Sequence, residues 1–344
     1  MSPTTLMILT SSLATGTIIT ASSYHWLLAW VGLEMNTLAI IPMISMQHHP
    51  RATEAATKYF LTQAAASALI LFSSLINAWQ TGSWDIMQPT CKMSSGLLTG
   101  ALAMKLGLVP MHFWFPEVLQ GSTMMTALIL STWQKLAPMA LIYLTSHTLS
   151  TTMLVTLALL STALGGWAGL NQTQLRKIMA YSSIAHVGWM AAVSTTMKDI
   201  MVLNLVLYLF MTTLLFLTFM VSKSKTLKDT TMALTTSPAL TLLMMLTLLS
   251  LGGLPPLTGF LPKWLILKEL TTQGLMTTST MLAMFSLLSL FFYLRLSYTT
   301  TLTLAPGMQT TKHKWRFKMN HPTLLMSVLA PLSLLLLPLT PSTL

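Results

Sequence analysis

The chain consists almost entirely of long apolar segments separated by short polar breaks. Hydrophobic residues make up 53% of its 344 residues and charged residues only 7%, whereas a soluble domain carries about 25% charged residues. A helix needs about 20 mainly apolar residues to cross a bilayer, where its backbone polar groups must be satisfied internally. The sequence therefore predicts an all-α polytopic membrane protein with no soluble domain.

About eleven segments fit transmembrane helices, and two of them are interrupted. The predicted spans are 3–22, 25–46, 54–79, 95–120, 123–146, 149–171, 175–196, 199–222, 237–270, 274–298 and 322–341. Proline removes a backbone donor and clashes with the preceding turn, so we expect the fourth and ninth spans to be broken helices. The residues predicted to break them are Pro110, Gly252, Gly253, Pro255, Pro256 and Pro262.

The spacing of the two breaks predicts an internal symmetry. They lie five spans apart, so the broken helices would cross the membrane in opposite directions. We expect a five-helix repeat in residues 1–147, broken near 107–116, and a second, inverted repeat in residues 148–298, broken near 252–262. Residues 299–344 would form a basic loop and a final span. Inverted repeats with broken helices recur in membrane transporters.

Four charged residues fall near the middle of the apolar spans, namely Glu34, Lys105, Lys135 and Lys263. With a rise of 1.5 Å per residue, Lys135 lies about 18–20 Å from either end of its span, close to the bilayer midplane. Such a placement costs at least ~3 kcal/mol unless the side chain faces a bundle interior or a water path. A static ion pair would explain Glu34 and one lysine, but it would leave the other two lysines unpaired. The pattern therefore favours translocation of protons or cations.

Loop charges predict the orientation of the chain. Ten basic residues fall on the same side as the N-terminus and only Lys92 and Lys198 on the other, which is a strong bias under the positive-inside rule. The ten are Arg51, Arg176, Lys177, Lys223, Lys225, Lys228, Lys312, Lys314, Arg316 and Lys318. The net charge of +11 is therefore attributed to topology, and we expect no nucleic-acid partner.

The sequence has no motif for a redox centre of its own. Cys91 is its one cysteine, which excludes a four-cysteine iron–sulfur site. Neither a dinucleotide-binding G-x-G-x-x-G motif after a strand nor a P-loop occurs. We expect no cofactor or metal to be bound by this chain.

Four motifs carry a resemblance to a known family. They are "WVGLEMNTLAIIPM" (30–43), "LGLVPMHFWFPEVLQG" (106–121), "GGWAGLNQTQLRKIMAYSSIAHVGWM" (165–190) and "LGGLPPLTGFLPKW" (251–264). In their order and spacing, the chain resembles the antiporter-like membrane subunits of respiratory complex I. The resemblance implies a place in the mitochondrial inner membrane. There the loop charges and the odd number of spans predict an N-terminus in the matrix and a C-terminus in the intermembrane space.

The same resemblance assigns roles to the intramembrane charges. Glu34 and Lys105 match the glutamate and the broken-helix lysine of the family, whereas Lys135 and Lys263 match the lysines further along its proton path. Some members have a glutamate at the position of Lys263. His112 and His186 also fall in motifs and are candidate relay residues, although a buried histidine is often only a hydrogen-bonded core residue.

The resemblance also implies partners and cofactors held elsewhere. NADH, FMN, iron–sulfur clusters and ubiquinone would bind to other subunits, and this chain would contact membrane-arm core subunits, accessory subunits and lipids. The leading hypothesis is a proton-translocating subunit of NADH:ubiquinone oxidoreductase. A free-standing cation/proton antiporter and a non-pumping membrane scaffold remain the alternatives.

Overall fold

The computed structural model describes residues 2–88, 91–236, 238–302 and 323–339, and nearly all of them are helical. Fifteen α-helices are present in these ranges. In chain order, α1 to α15 are Pro3–Ser22, Trp26–Ile44, Pro50–Thr81, Lys92–Leu106, Trp114–Gly121, Met124–Ser131, Trp133–Thr145, Thr151–Gly169, Leu175–Val193, Lys198–Ser222, Leu227–Thr236, Pro238–Gly252, Phe260–Thr272, Met276–Leu302 and Leu324–Leu334. The prediction of an all-helical membrane fold is confirmed.

Seven spans in the described ranges are long and apolar enough to cross a membrane: α1, α2, α3, α6 with α7, α8, α10 and α14. The shorter α12 and α15 are also apolar. The total of eleven transmembrane helices stays a prediction, and the basic cluster from Lys312 to Lys318 lies outside the described residues.

Both predicted breaks are present. Helix α4 ends at Leu106 and is followed by Gly107, whose φ of +75° is accessible to glycine. Helix α5 begins at Trp114 after a turn that contains Pro110. Helix α12 ends at Gly252, and Gly253 (φ +80°) starts the irregular segment before α13.

Two of the predicted breaking residues lie beside the second break, not within it. Gly252 is the last residue of α12, whereas Pro255 and Pro256 lie in the irregular segment. Pro262 is the third residue of α13, so it lies in the first turn of the half-helix that follows the break. The first turn of a helix has no intrahelical use for backbone N–H groups, so a proline is tolerated there.

A third interruption separates α6 from α7 at Thr132, within the predicted span 123–146. The backbone of Thr132 (φ −112°, ψ −72°) departs from helical geometry, and its hydroxyl donates to the Leu128 carbonyl at 2.6 Å. The irregular residue lies three positions before Lys135, whose N–H donates to the Thr132 carbonyl at 3.2 Å.

The helices group into two compact units. The first comprises Met1–Ser161 with Val187–Lys198, and the second Thr162–His186 with Asp199–Leu344. The predicted repeat boundaries, and the inverted symmetry of the repeats, stay predictions.

In the first unit, α1 and α2 cross at two glycines. A Cβ on Gly16 would lie 2.9 Å from the Gly32 carbonyl oxygen, and one on Gly32 would lie 2.8 Å from the Gly16 carbonyl oxygen. Only glycine permits such close backbone approach, which is typical of helix pairs in membranes. The crossing fixes α2, the helix that carries Glu34.

In the second unit, backbone hydrogen bonds join two polar loops at the starts of α9 and α11. Leu175 N donates to the Lys225 carbonyl and Leu227 N to the Thr173 carbonyl, each at 3.1 Å. The Asp229 carboxylate accepts from the N–H groups of Lys225 (2.9 Å) and Thr226 (2.8 Å). These contacts satisfy donors before the first turn of α11, a helix that the apolar pattern did not predict.

Candidate functional site

Lys105 lies in the last turn of α4, directly before the first helix break. Its side chain is buried, and Nζ has no hydrogen-bond partner among the described residues. Unsatisfied carbonyl groups give a helix C-terminus a partial negative charge, which favours a cation there. The break therefore supplies an electrostatic environment that an uninterrupted helix would lack.

Glu34 lies on α2, with Oε2 buried and without a hydrogen-bond partner in the described part of the chain. Its carboxylate is near enough to Lys105 and Tyr59 to interact electrostatically with both. It is not in an ion pair within 4.0 Å, since the one such pair in the described ranges joins Lys58 and Glu117. Glu34 and Lys105 are thus neighbours without direct contact in this conformation.

Lys135 lies on α7 and is buried against α5. Its Nζ is 5.3 Å from the centroid of the Phe115 ring, a distance at which an ammonium group is attracted to the ring face. Phe115 is the second residue of α5, so the position of this half-helix after the break determines what Lys135 contacts.

One polar cavity of about 20 Å³ is lined by both Lys105 and Lys135. That volume has room for about one water molecule. The full lining is Leu33, Asn36, Thr37, Tyr59, Gln63, Lys105, Leu106, Trp114, Phe115, Leu130, Gln134, Lys135, Ala137 and Pro138. The structure therefore brings together two of the three predicted lysines. Glu34 does not line the cavity itself, but it follows the lining residue Leu33 in the sequence.

Sequence reasoning missed the polar residues of this cavity. Tyr59 Oη donates to Gln134 Oε1 at 3.4 Å, and Gln134 Nε2 donates to the Asn36 carbonyl at 3.3 Å. Gln63 Nε2 and both side-chain amide atoms of Asn36 are buried without a partner among the described residues. Buried amides in an apolar span are a signal that the sequence offered, because such groups need a partner or water.

His112 lies in the break between α4 and α5. It is buried, with its ring centroid 4.3 Å from that of Phe113, and it is not among the residues that line the cavity. Its predicted relay role stays a prediction.

A second feature that the sequence analysis missed joins α3 to α5. Lys58 and Glu117 form an ion pair, and each side chain is about half exposed. A Cβ on Gly121, the last residue of α5, would lie 2.6 Å from both Ala55 Cβ and the Arg51 carbonyl oxygen. The second half of the broken helix is therefore held closely against α3.

In the second unit, Lys263 reaches back across the helix break. Its Nζ donates to the Gly252 carbonyl at 2.8 Å, at the C-terminal end of α12. A Cβ on Gly253 would lie 2.9 Å from Lys263 Cδ and 3.0 Å from Nζ, so a glycine there leaves room for the lysine. The start of α13 disfavours an ammonium group, but the end of α12 favours it.

His186 is buried on α9 within the second unit. Its Nε2 lies 3.5 Å from the hydroxyl oxygen of Tyr293 on α14, and its ring is 5.4 Å from that of Tyr208 on α10. Its predicted relay role stays a prediction.

No group of three or more histidine, cysteine, aspartate or glutamate residues that could hold a metal is present in the described ranges. The ionisable groups of the site are instead lysines and a carboxylate in an apolar bundle. Such groups can gain and lose protons, and the arrangement therefore fits proton transfer between buried groups.

These features define an antiporter-like helical membrane protein with a titratable interior. Residues 23–292 match the family described as NADH:quinone oxidoreductase/Mrp antiporter, transmembrane. Residues 290–344 match the C-terminal family of NADH dehydrogenase subunit 2.

Individual relatives narrow this class. NADH-ubiquinone oxidoreductase chain 2 of Xenopus laevis is 54% identical over 344 residues, which is 100% of both chains. That of Varanus nebulosus is 54% identical over 342 residues, 99% of both chains. The chain therefore belongs to the NADH-ubiquinone oxidoreductase chain 2 family.

A solved structure agrees with this assignment. A chain of respiratory complex I from Thermus thermophilus superposes with a TM-score of 0.84 at 29% identity, over 97% of this chain and 79% of that chain.

Proposed function

We propose that this chain is a proton-translocating subunit of the membrane arm of NADH:ubiquinone oxidoreductase. The observation that supports this most directly is the small cavity lined by both Lys105 and Lys135 beside a broken helix. A purely structural bundle gains nothing from two buried ammonium groups, which are costly to insert. A proton path, in contrast, needs groups of this kind within reach of water.

Glu34 and Lys105 form the switch in this proposal. The pair is near but not in direct contact, so a small movement of α2 or α4 changes the stability of the Lys105 ammonium group. Two opposite charges at 4 Å interact by about 4 kcal/mol at an effective dielectric constant of 20. Moving one charge across the membrane costs about 2.3 kcal/mol per 100 mV, so closing or opening the pair is of the right size to drive a transfer.

Lys135 and Lys263 pass the proton onward. Lys135 lines the same cavity as Lys105, which has room for about one water molecule. Lys263 is the proton-carrying residue proposed for the second unit, where the Gly252 carbonyl stabilises its protonated form. His112 and His186 are further candidates for the relay.

The redox chemistry takes place in other subunits. The enzyme is an oxidoreductase complex, and NADH, FMN, iron–sulfur clusters and ubiquinone bind outside this chain in our proposal. Its partners are other membrane-arm core subunits, including an antiporter-like neighbour and small membrane subunits, together with accessory subunits and lipids.

The proposed location is the mitochondrial inner membrane, which the chain crosses several times. The loop charges support an N-terminus in the matrix and a C-terminus in the intermembrane space. Labelling of each terminus in sealed mitochondria from either side tests this orientation, and finding both termini on one side would contradict it.

The decisive experiment measures protons pumped per electron pair by the reconstituted complex with Lys135→Met. The expected result is a lowered ratio with normal assembly, because methionine fills the volume but cannot carry a proton. Lys268→Met is the matched control, since Lys268 is exposed on α13. An unchanged ratio at full quinone-reducing rate would favour a non-pumping scaffold. Activity of the chain without the rest of the complex would favour a free-standing antiporter.

A further inference from the structure

The end of α15 lies directly beside the second helix break. The hydroxyl of Thr258, in the irregular segment between α12 and α13, donates to the carbonyl oxygen of Ser333 in the last turn of α15. Both residues are 1% exposed or less, so bulk water does not compete for this bond. A carbonyl in the last turn of a helix lacks an intrahelical donor, and Thr258 supplies one to Ser333.

Thr258 differs in this respect from the buried threonines of the neighbouring helix. The hydroxyls of Thr241 and Thr247 on α12 donate to carbonyls three positions earlier in the same helix, as threonines commonly do. The Thr258 hydroxyl instead bonds a backbone group 75 residues away. Ser333 uses its own hydroxyl within α15, where it donates to the Ala330 carbonyl at 3.0 Å. The Thr258 side chain is therefore a polar contact between the break and another helix.

The segment that Thr258 holds leads directly into the helix of Lys263. The Thr258 carbonyl accepts the N–H of Leu261 at 3.2 Å, in the first turn of α13, which also carries Lys263. On the other side, a Cβ on Gly259 would overlap the Ser250 carbonyl oxygen of α12, so the segment packs against α12 with no room for a side chain. The start of α13 thus contacts both α12 and α15, and Lys263 reaches from it back to α12.

We propose that Thr258 is a positioning residue for Lys263, and that α15 is the anchor to which it holds the second break. The hydroxyl keeps the start of α13 where the Lys263 ammonium group reaches the Gly252 carbonyl. Release of this hydroxyl lets the segment move and takes the lysine with it. The inference rests on the proposed function, in which Lys263 carries a proton, and it gives a role to a helix that lies outside both predicted five-helix repeats.

The test compares Thr258→Val with Thr247→Val in the reconstituted complex. Valine keeps the shape of threonine and replaces the hydroxyl by a methyl group. Thr247 is also fully buried, but its hydroxyl donates within α12, which makes it the matched control. Loss of a buried hydrogen bond shifts a local equilibrium by about tenfold, so we expect Thr258→Val to slow pumping-linked turnover by up to about tenfold. Thr247→Val should leave it unchanged, and equal rates for the two variants would overturn the proposal.

Thr258→Ser and a structure of the Thr258→Val complex separate positioning from packing. Serine keeps the hydroxyl and loses the methyl group, so a positioning role predicts near-normal turnover, whereas a packing role predicts a loss. In the structure of the valine variant, Lys263 Nζ should have left the Gly252 carbonyl. Retention of that hydrogen bond, or a serine variant as slow as the valine variant, would contradict the positioning role.

Thr258→Ala replaces Thr258→Val if the valine variant does not assemble, since alanine removes the hydroxyl without a methyl group in its place. The same outcomes then apply. Failure of both variants to assemble would assign the bond to folding alone and overturn the positioning role.

Lys263→Met, measured in parallel, distinguishes the inference from the proposed function. A lowered pumping ratio for Lys263→Met with normal turnover for Thr258→Val would refute the positioning role alone. A normal ratio for Lys263→Met would refute the proposed proton path through this unit, and the inference with it, whatever the rate of Thr258→Val.

Discussion

Substitution of Gly253 by alanine tests the position of Lys263 without changing the lysine itself. Gly253 has a φ of +80°, where a Cβ costs roughly 1–2 kcal/mol. The new Cβ would also lie 2.9 Å from Lys263 Cδ, well inside the 3.5–4.0 Å of a favourable carbon contact. The lysine side chain is flexible and is expected to withdraw, giving up its 2.8 Å hydrogen bond to the Gly252 carbonyl.

The lost hydrogen bond sets the expected magnitude. A hydrogen bond from a charged donor contributes about 1.5–3 kcal/mol, so Lys263 would occupy its place at the end of α12 about 10- to 150-fold less often. We expect a clear loss of protons pumped per electron pair in vesicles. The amount of assembled complex on native gels should fall only slightly, because the backbone strain is the only cost to folding.

Gly274→Ala provides the control for that strain. Gly274 has nearly the same φ (+77°), but nothing lies within 4 Å of a Cβ at this position. Both variants therefore carry a similar conformational cost, and only Gly253→Ala displaces the lysine. Equal pumping ratios for the two variants would refute the view that Lys263 must contact the end of α12.

Two further predictions concern the first unit. Glu34→Gln should lower pumping and coupled turnover, because it removes the charge that we propose as the switch. NADH oxidation by an artificial acceptor upstream of ubiquinone should persist. Loss of both activities would indicate an assembly defect. Gly16→Ala should reduce the thermal stability of the complex by about 1–3 kcal/mol, since its Cβ would lie 2.5 Å from Asn36 Oδ1 and 2.9 Å from the Gly32 carbonyl oxygen. Gly100→Ala, where a Cβ meets nothing within 4 Å, should not, and equal melting of the two variants would contradict the close crossing of α1 and α2.

The helix breaks show which interruptions residue type alone can predict. Gly107 and Gly253 adopt positive φ where glycine–proline clusters predicted interruptions, since these residues constrain the backbone wherever they occur. Thr132 interrupts its span without any such signal. Its hydroxyl bond to the Leu128 carbonyl is one that threonines make in regular helices as well, so residue type alone does not predict the irregularity.

The positions of Glu34 and Lys105 show what the sequence could not predict. The sequence indicated that both charges are intramembrane, because length and hydropathy determine depth along a helix. It did not give their separation, and in the structure the two are neighbours beyond ion-pair distance. Separation across a bundle depends on helix rotation and crossing, which the sequence of a single helix does not record.

The sequence by itself determined the class of fold and the position of both predicted breaks, and it predicts the depth of the four charges. The reason is physical: in a bilayer, hydrophobic length and backbone hydrogen bonding constrain each helix individually. Only the tertiary structure decided which side chains meet. The cavity of Lys105 and Lys135 collects Asn36, Tyr59 and Gln134 from three helices, and Tyr293 reaches His186 from a position 107 residues away. Such contacts arise from side-chain packing between helices, which no local pattern records.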